Sequence, residues 1–344
     1  MSMTTPRYLM FDTFKNRLTI TGTLTTITAL RISAGRSTEP IGSDLPVIKD
    51  ALGRPLIPGS SFKGAMRSRL ESFLRGIVGN NRKLVANPAI EDEWSLTSGE
   101  IRDIKKLNLE QLITLHQVQV RETDDFKDLS LEEIIERIIE DKYLLPENEL
   151  KKLKEEYNHD SAFTAVIQQN TDLVSHLFGS PWLASKFQLR DLTIVPDTWF
   201  GQYQERDGVA IDRDTETAAD GKLYDFQVVP AGTQFEFQAV VENAEQWELG
   251  LLMIGLHQFE AEQVPLGGGR SRGLGVVKLD IEEMLWFDYP EDQPQLLLDY
   301  LKKLVMGDKS PYKNAQDLKD HWVQKLIEHI QSKAPNKTNT ETKR

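Results

Sequence analysis

The chain of 344 residues contains no cysteine, which excludes a disulfide framework, a thiolate zinc site and a cysteine nucleophile. Its six histidines are scattered and none has the HExxH spacing of a helical metal site, so zinc is not expected. No stretch approaches the roughly 18 uninterrupted apolar residues of a membrane span. The opening MSMTTPRYLMFDTF lacks the apolar core of a secretory signal. A cytoplasmic protein without a membrane partner is the expectation. Excess base is also missing: 53 Asp and Glu outnumber 41 Lys and Arg, for a net charge of −12. Phosphate contacts need a basic footprint, so the total speaks at first against nucleic acid. The excess is local, however. Residues 79–175 hold 21 acidic and 12 basic side chains, a balance of −9. Residues 45–75 carry Lys49, Arg54, Lys63, Arg67, Arg69 and Arg75 against Asp50 and Glu71, a balance of +4. A basic groove is compatible with the acidic whole.

What is present is about two domains' worth of chain with 39% hydrophobic residues, enough to bury a core. Residues 17–28 alternate Leu18, Ile20, Gly22 and Leu24 with polar neighbours, the period of a half-buried strand. Beyond a turn-rich stretch, Pro58 and Gly59 break the chain and Ser60 or Ser61 can cap a helix. Phe62, Met66, Leu70 and Phe73 predict its buried face, with Lys63 and Arg67 on its flanks. The acidic block reads as a helical insertion: Thr97 with Glu100 and Ser130 with Glu133 have capping-box spacing, and Ile134, Ile135, Ile138 and Ile139 form a stripe. Pro146 suits a first turn before Leu150, Leu153 and Tyr157. Its charges read as solvated helix faces, with a docking surface for a partner protein as the alternative.

Further on, LRDLTIV (189–195) predicts a strand, and 196–224 a long polar loop of the kind that often carries function. FQVVPAGTQFEFQAVV predicts two strands around a Pro-Ala-Gly turn. Trp247, Leu251, Leu252, Ile254, Leu256 and Phe259 predict a buried helix, and VVKLDI a strand after the glycine run LGGGRSRGLG. Two amphipathic helices follow, near 295–306 and around Leu318, Trp322, Leu326 and Ile330, and residues 331–344 read as disordered. The order of elements implies an α+β fold with a ferredoxin-like, RRM-like βαββαβ core.

Four segments stand together: RISAGRSTEPIGSDLPVIKDALGRPLIPGSSFKGAMRSRL, LFGS, GVAIDRDTETAADGKLYDFQVVPAGTQFEF and LGGGRSRGLGVVKL. In that order they resemble the backbone subunit of type III CRISPR effector complexes, of the RAMP superfamily. The resemblance implies a core of 17–78 and 177–285, a protruding thumb hairpin at about 196–228, the insertion at 79–176 and C-terminal helices at 286–330. Residues 1–16 are then an N-terminal extension and 331–344 a tail. The family's frequent cysteine/histidine zinc site is missing from the insertion. The implied partners are CRISPR RNA, a complementary target RNA and other subunits of the complex. The implied activity is Mg²⁺-dependent cutting of the target. The alternative within the family is a guide-binding subunit that leaves cutting to others.

By the same resemblance the cutting residue is Asp44 in GSDLPVIKD. A carboxylate on such a loop can orient a ribose hydroxyl, accept its proton or help hold an ion. Read without the resemblance, Asp44 forms an Asx turn before Pro46. One residue is missing between glycine and aspartate relative to the family, which leaves Asp50 as the alternative position. Ser60, Ser61 and Lys63 at a helix N-terminus suit a guide phosphate, or plain capping. Lys49 and Arg67 belong to the basic stretch at 45–75, and Arg36 to the first of the four segments. Arg270 and Arg272 in the glycine run resemble the family's RNA-gripping loop, with an ordinary turn as the other reading. In the thumb, Val209 and Ile211 are the implied wedge and Arg213 an RNA-backbone contact. An apolar wedge unstacks a nucleotide, and an unstacked ribose can reach in-line geometry that a regular duplex forbids. Ser60 and Lys63 also match S-x-x-K of penicillin-recognising enzymes, but no KTG follows.

Overall fold

Alternation along Asn16–Thr26, strand β1, sends Leu18, Ile20 and Leu24 to one face, where all three are fully buried. The computed structural model describes residues 13–33, 35, 45–126, 128–140, 143–211, 218–289 and 293–333, the side chains of 208–224 excepted. Asp44, Arg36, Arg213 and most of the tail therefore lie outside the described residues. After β1 come α1 (Gly59–Val78), α2 (Ser98–Ile104), α3 (Leu109–Val120), α4 (Leu131–Glu140), α5 (Glu147–Glu156), α6 (His159–Gln169) and α7 (Leu173–Phe178). Then follow β2 (Phe187–Leu189), β3 (Gln204–Ile211), β4 (Ala218–Val228), β5 (Gln234–Glu242), α8 (Gln246–Glu260), β6 (Val277–Asp288), α9 (Pro294–Val305), β7 (Lys313–Asn314) and α10 (Lys319–Lys333). Two compact units result, one from Asn16–Leu70 and the chain beyond Phe187, the other from Glu71–Lys186.

In the first unit the sheet order is β2-β5-β1-β6-β7, antiparallel throughout. The first four strands have the ferredoxin-like arrangement, with α1 and α8 as the two crossovers. Leu18, Ile20 and Leu24 face Val241, Ala239 and Phe235 across the β1–β5 pair. Phe62 of α1 packs at 5.3 Å from Phe237 and stacks at 4.1 Å on Phe259 of α8, so both helices cover the same face. Gly22 sits where the β1–β6 register shifts. A Cβ there would lie 2.4 Å from the Asp280 carbonyl, which is why this strand position has no side chain. α10 seals the β6 side by setting Trp322 edge-on to Trp286.

The second unit is helical with its own core, including Leu112, Ile113, Ile134, Ile138, Ala165 and Val166. Its helices start where the capping pattern puts them: Thr97 with Glu100 and Ser130 with Glu133 exchange both bonds. The Glu100 carboxylate is buried and meets Arg82 at 2.8 Å and Lys83 at 3.4 Å. Burial alone would raise its pKa, but Arg82, the Thr97 N–H and Lys83 together hold it below the ordinary value. A depressed carboxylate stabilises the fold above the unfolded glutamate value of about 4.3 and loses that contribution as pH falls through the folded value. Acid titration of helicity should therefore show wild type losing more stability than Glu100→Gln over that window. Parallel titration curves would rule the carboxylate out as a source of acid sensitivity.

Several sequence expectations shift. The buried stripe of α1 ends on Leu74, while Phe73 is 37% exposed, because successive i+4 steps wind the stripe about 40° further around the helix each time and Phe73 is left at its edge. Ile139 lies exposed beside buried Ile138 at the end of α4. Pro146 is the N-cap of α5 rather than its first helical residue. The strand expected at 189–195 is only Phe187–Leu189; Leu192 and Ile194 make isolated bridges to Ile57 and Phe235. The two strands around Pro230–Gly232 do not pair with each other: β5 enters the sheet, whereas β4 pairs with β3 outside it. β6 continues to Asp288, and α10 reaches Lys333.

Candidate nucleic-acid interface

Ala29–Ile32, just past the end of β1, is the hub where three separate parts of the chain meet. The first is the glycine run. Gly268 N–H donates to Arg31 O at 2.8 Å and Gly275 N–H to Ala29 O at 2.9 Å. Gly267 has φ +73°, and a Cβ on it would lie 2.0 Å from Arg31 O; at Gly275 (φ +88°) a Cβ would lie 2.1 Å from Leu266 O. Only glycine tolerates both the left-handed backbone and the approach. The tip, Arg270–Arg272, is a single 3-10 turn between left-handed Gly269 and Gly273, and both arginines are exposed.

The second part is the stretch from Leu45 to Ile57. Ile48 N–H donates to Ile32 O at 2.9 Å and Leu56 N–H to Ile48 O at 3.2 Å. Asp50 turns this stretch back on itself: Oδ1 accepts from Leu52 N–H and Arg54 N–H, and Oδ2 from Arg54 Nε at 2.8 Å. The Arg54 N–H, foremost among these bonds, holds the Asp50 carboxyl below its ordinary value. With its oxygens engaged inside the turn, Asp50 is a structural residue, as the Asx chemistry of such turns requires.

The third part is the foot of the β3–β4 hairpin. Leu30 bridges Val229, Leu45 bridges Phe226 in parallel, and Gln227 N–H donates to Leu45 O. Ala29, Phe226, Val228 and Leu274 bury one another, with Leu45 against them. The carbon of the Arg31 guanidinium lies 4.7 Å over the Phe226 ring, and Arg31 Nε is buried without a hydrogen-bond partner among the described residues. Along the hairpin Val209 pairs with Leu223 and Ile211 with Ala218, with a register shift between them.

The α1 N-terminus is arranged differently from the open anion site that its sequence suggests. Gly59 N–H already donates to the Asp191 carboxylate at 2.9 Å, and Ser61 N–H to Pro58 O. Lys63 turns its ammonium to Phe187 O at 2.6 Å and over that ring; burial, then Arg67 one turn on, pushes its pKa down. Ser60 is exposed, whereas Ser61, Lys63 and Arg67 are half-buried. Asp191 could not be foreseen as the cap, because it is 132 residues from Gly59.

Sequence reasoning missed Arg31 and the aromatic group Trp199, Phe200 and Tyr203. Tyr203 O–H donates to Gly53 O at 2.6 Å, Lys49 Nζ stands 4.4 Å over its ring, and Trp199 packs at 4.9 Å. Burial, then the Asp50 charge, pushes the Tyr203 hydroxyl up to about 12, so it remains a donor at neutral pH. Three aromatics in five residues of an otherwise polar loop were the available signal.

A family profile described as the RAMP superfamily matches residues 23–278, from within β1 to the start of β6. The chain belongs to the RAMP superfamily. As a RAMP chain it is similar to three curated proteins, each named CRISPR system Cms endoribonuclease Csm3. That of Mycobacterium tuberculosis is 50% identical over 56 residues, 16% of this chain and 24% of that protein. The Methanocaldococcus jannaschii protein is 45% identical over 60 residues, 17% and 24% of the two chains, and the Enterococcus italicus protein 42% over 66 residues, 19% and 31%. The chain thus spans about a quarter to a third of the length of the curated relatives it matches. Among the described residues of this RAMP chain no three His, Asp or Glu side chains come together to hold a metal ion. No described helix is long and apolar enough to cross a membrane.

Proposed function

We propose that this chain is a backbone subunit of a type III CRISPR effector complex that binds CRISPR RNA and cuts a complementary target RNA endonucleolytically. The observation that carries the proposal is the convergence on Ala29–Ile32 of three segments: the stretch that follows Asp44, the arginine-bearing glycine loop and the hairpin foot. Exposed Arg270 and Arg272 on a rigid left-handed loop suit RNA phosphates. Lys49 and Ser60 face solvent and extend the same contact. Arg36, with Val209, Ile211 and Arg213 of the hairpin as thumb, completes the proposed RNA surface, and Asp44 is its proposed cutting residue. Sequence is then read by base pairing, while the protein recognises backbone and duplex shape.

Asp44 alone is too few ligands for a protein-only metal cage, so the Mg²⁺ that belongs to this proposal takes most of its ligands from RNA phosphates and water. The proposed partners beyond RNA are the other subunits of the complex, in the cytoplasm. Purified complexes assembled with this chain should carry a guide RNA and cut a labelled complementary RNA in Mg²⁺ but not in EDTA. A complex that retains guide and target yet leaves the target whole would replace the nuclease reading with the binding-only one.

A further inference from the structure

Phe200 is 82% exposed, and Leu52, in the Asp50 turn and next in sequence to the Gly53 that Tyr203 bonds, is 76% exposed. An aromatic ring this open gains nothing from the protein core, yet the residues around it are held firmly. Tyr203 is anchored to Gly53 O by its hydroxyl and lies under Lys49, and Trp199 packs against Tyr203. Three residues beyond Tyr203, Arg206 pairs with Phe226, the same Phe226 that bridges Leu45. The aromatic group therefore stands at the hairpin foot, next to the stretch that follows Asp44.

We propose that Phe200, which adjoins the packed Trp199–Tyr203 pair in sequence, is a stacking platform for an unpaired RNA base, with the Lys49 ammonium, which stands over the Tyr203 ring, on a nearby phosphate. This rests on the RNA-binding reading above and names a ligand subsite within it. Charge selects the occupant: an exposed ring three residues from Tyr203, over which the solvent-exposed Lys49 stands, favours an aromatic ligand that brings an anion, and a nucleotide is both. Stacking on a rigid ring is tolerant of sequence because every base has a π-face. That suits a surface whose sequence reading is delegated to pairing.

The test uses the full chain and a short fluorescein-labelled single-stranded RNA, read by anisotropy, beside the same ribose-phosphate chain carrying abasic sites. Phe200→Ala should weaken RNA binding by about tenfold, Phe200→Trp should restore it, and the abasic strand should bind wild type and Phe200→Ala alike. Arg270→Ala/Arg272→Ala should weaken both strands. If Phe200→Ala leaves RNA affinity intact while the arginine variant loses it, the platform is overturned and the RNA-binding reading stands. Equal loss of the abasic strand in Phe200→Ala would also overturn it, since no base is there to stack. If wild type binds neither strand, the parent reading fails together with the inference.

Discussion

Replacing Asp44 by alanine is expected to slow cutting of complementary RNA by about 10²–10⁴-fold, the usual share of a positioned carboxylate in proton transfer. Target affinity should stay within about twofold of wild type, because pairing and phosphate contacts supply the binding. The reason to expect so clean a separation is local. Leu45, the next residue, is held by the Gln227 N–H, by its bridge to Phe226 and by the small apolar cluster at the hub. The chain is thus anchored immediately after Asp44 without using the Asp44 carboxylate in those contacts. Asp50→Asn is the informative companion. Its carboxylate is engaged by Leu52 and Arg54, so the exchange should soften the turn and leave cutting nearly intact. Cleavage of a labelled target by assembled complexes, followed in time, separates the two. Loss of cutting in Asp50→Asn with normal rates in Asp44→Ala would move the cutting role to Asp50.

Gly267→Ala should be the most damaging single methyl that can be added to the proposed RNA loop. It combines left-handed backbone, costing about 1–2 kcal/mol for a residue with a Cβ, with a contact at 2.0 Å from Arg31 O that forces backbone apart at about 1–3 kcal/mol. A total near 3 kcal/mol is expected, read as a lower denaturation midpoint at unchanged slope. RNA affinity should fall with it, because Gly268 N–H and Gly275 N–H tie the base of the arginine turn to Arg31 and Ala29. Gly268→Ala, one residue on, meets nothing within 4 Å and should change stability by less than about 0.5 kcal/mol. Equal effects of the two substitutions would show that the loop does not sit on Arg31 as described.

The elements that could be read from one dimension are those with a strong period and local stops. Leu18, Ile20 and Leu24 alternate at the period of a strand, Phe62, Met66 and Leu70 repeat at the period of a helix, and Thr97–Glu100 and Ser130–Glu133 mark helix starts within four residues. Each depends on neighbours along the chain, so each is visible without coordinates. The short β2 was harder because Asp191 leaves the ladder to cap Gly59, a partner set by tertiary packing alone. Likewise Phe226 and Val228 alternate as sheet residues should, but they bury against Ala29 and Leu274 in a satellite cluster rather than in the main sheet. A period of two tells which side chains share a face and says nothing of what that face meets.

The candidate site divides the same way. The basic stretch at 45–75, the arginines in the glycine run and the family resemblance are properties of residue order, and the order alone determined them. Asp50 closing a turn with Leu52 and Arg54 is local in the same way, but that Lys63 faces β2 and that Arg31 stands over Phe226 was decided only when distant segments came together. So was the anchoring of Tyr203 to Gly53, with Trp199 against it, beside an exposed Phe200. The physical reason is that hydrogen bonds and ring contacts act over a few ångströms in space, whereas their partners here lie far apart along the chain, as with Arg31 and Phe226 or Ala29 and Gly275. Sequence patterning can specify which groups are available, and the tertiary fold, by setting the end of β1 beside the start of β6 in the sheet and bridging the end of β4 to it from outside, decides which of them meet.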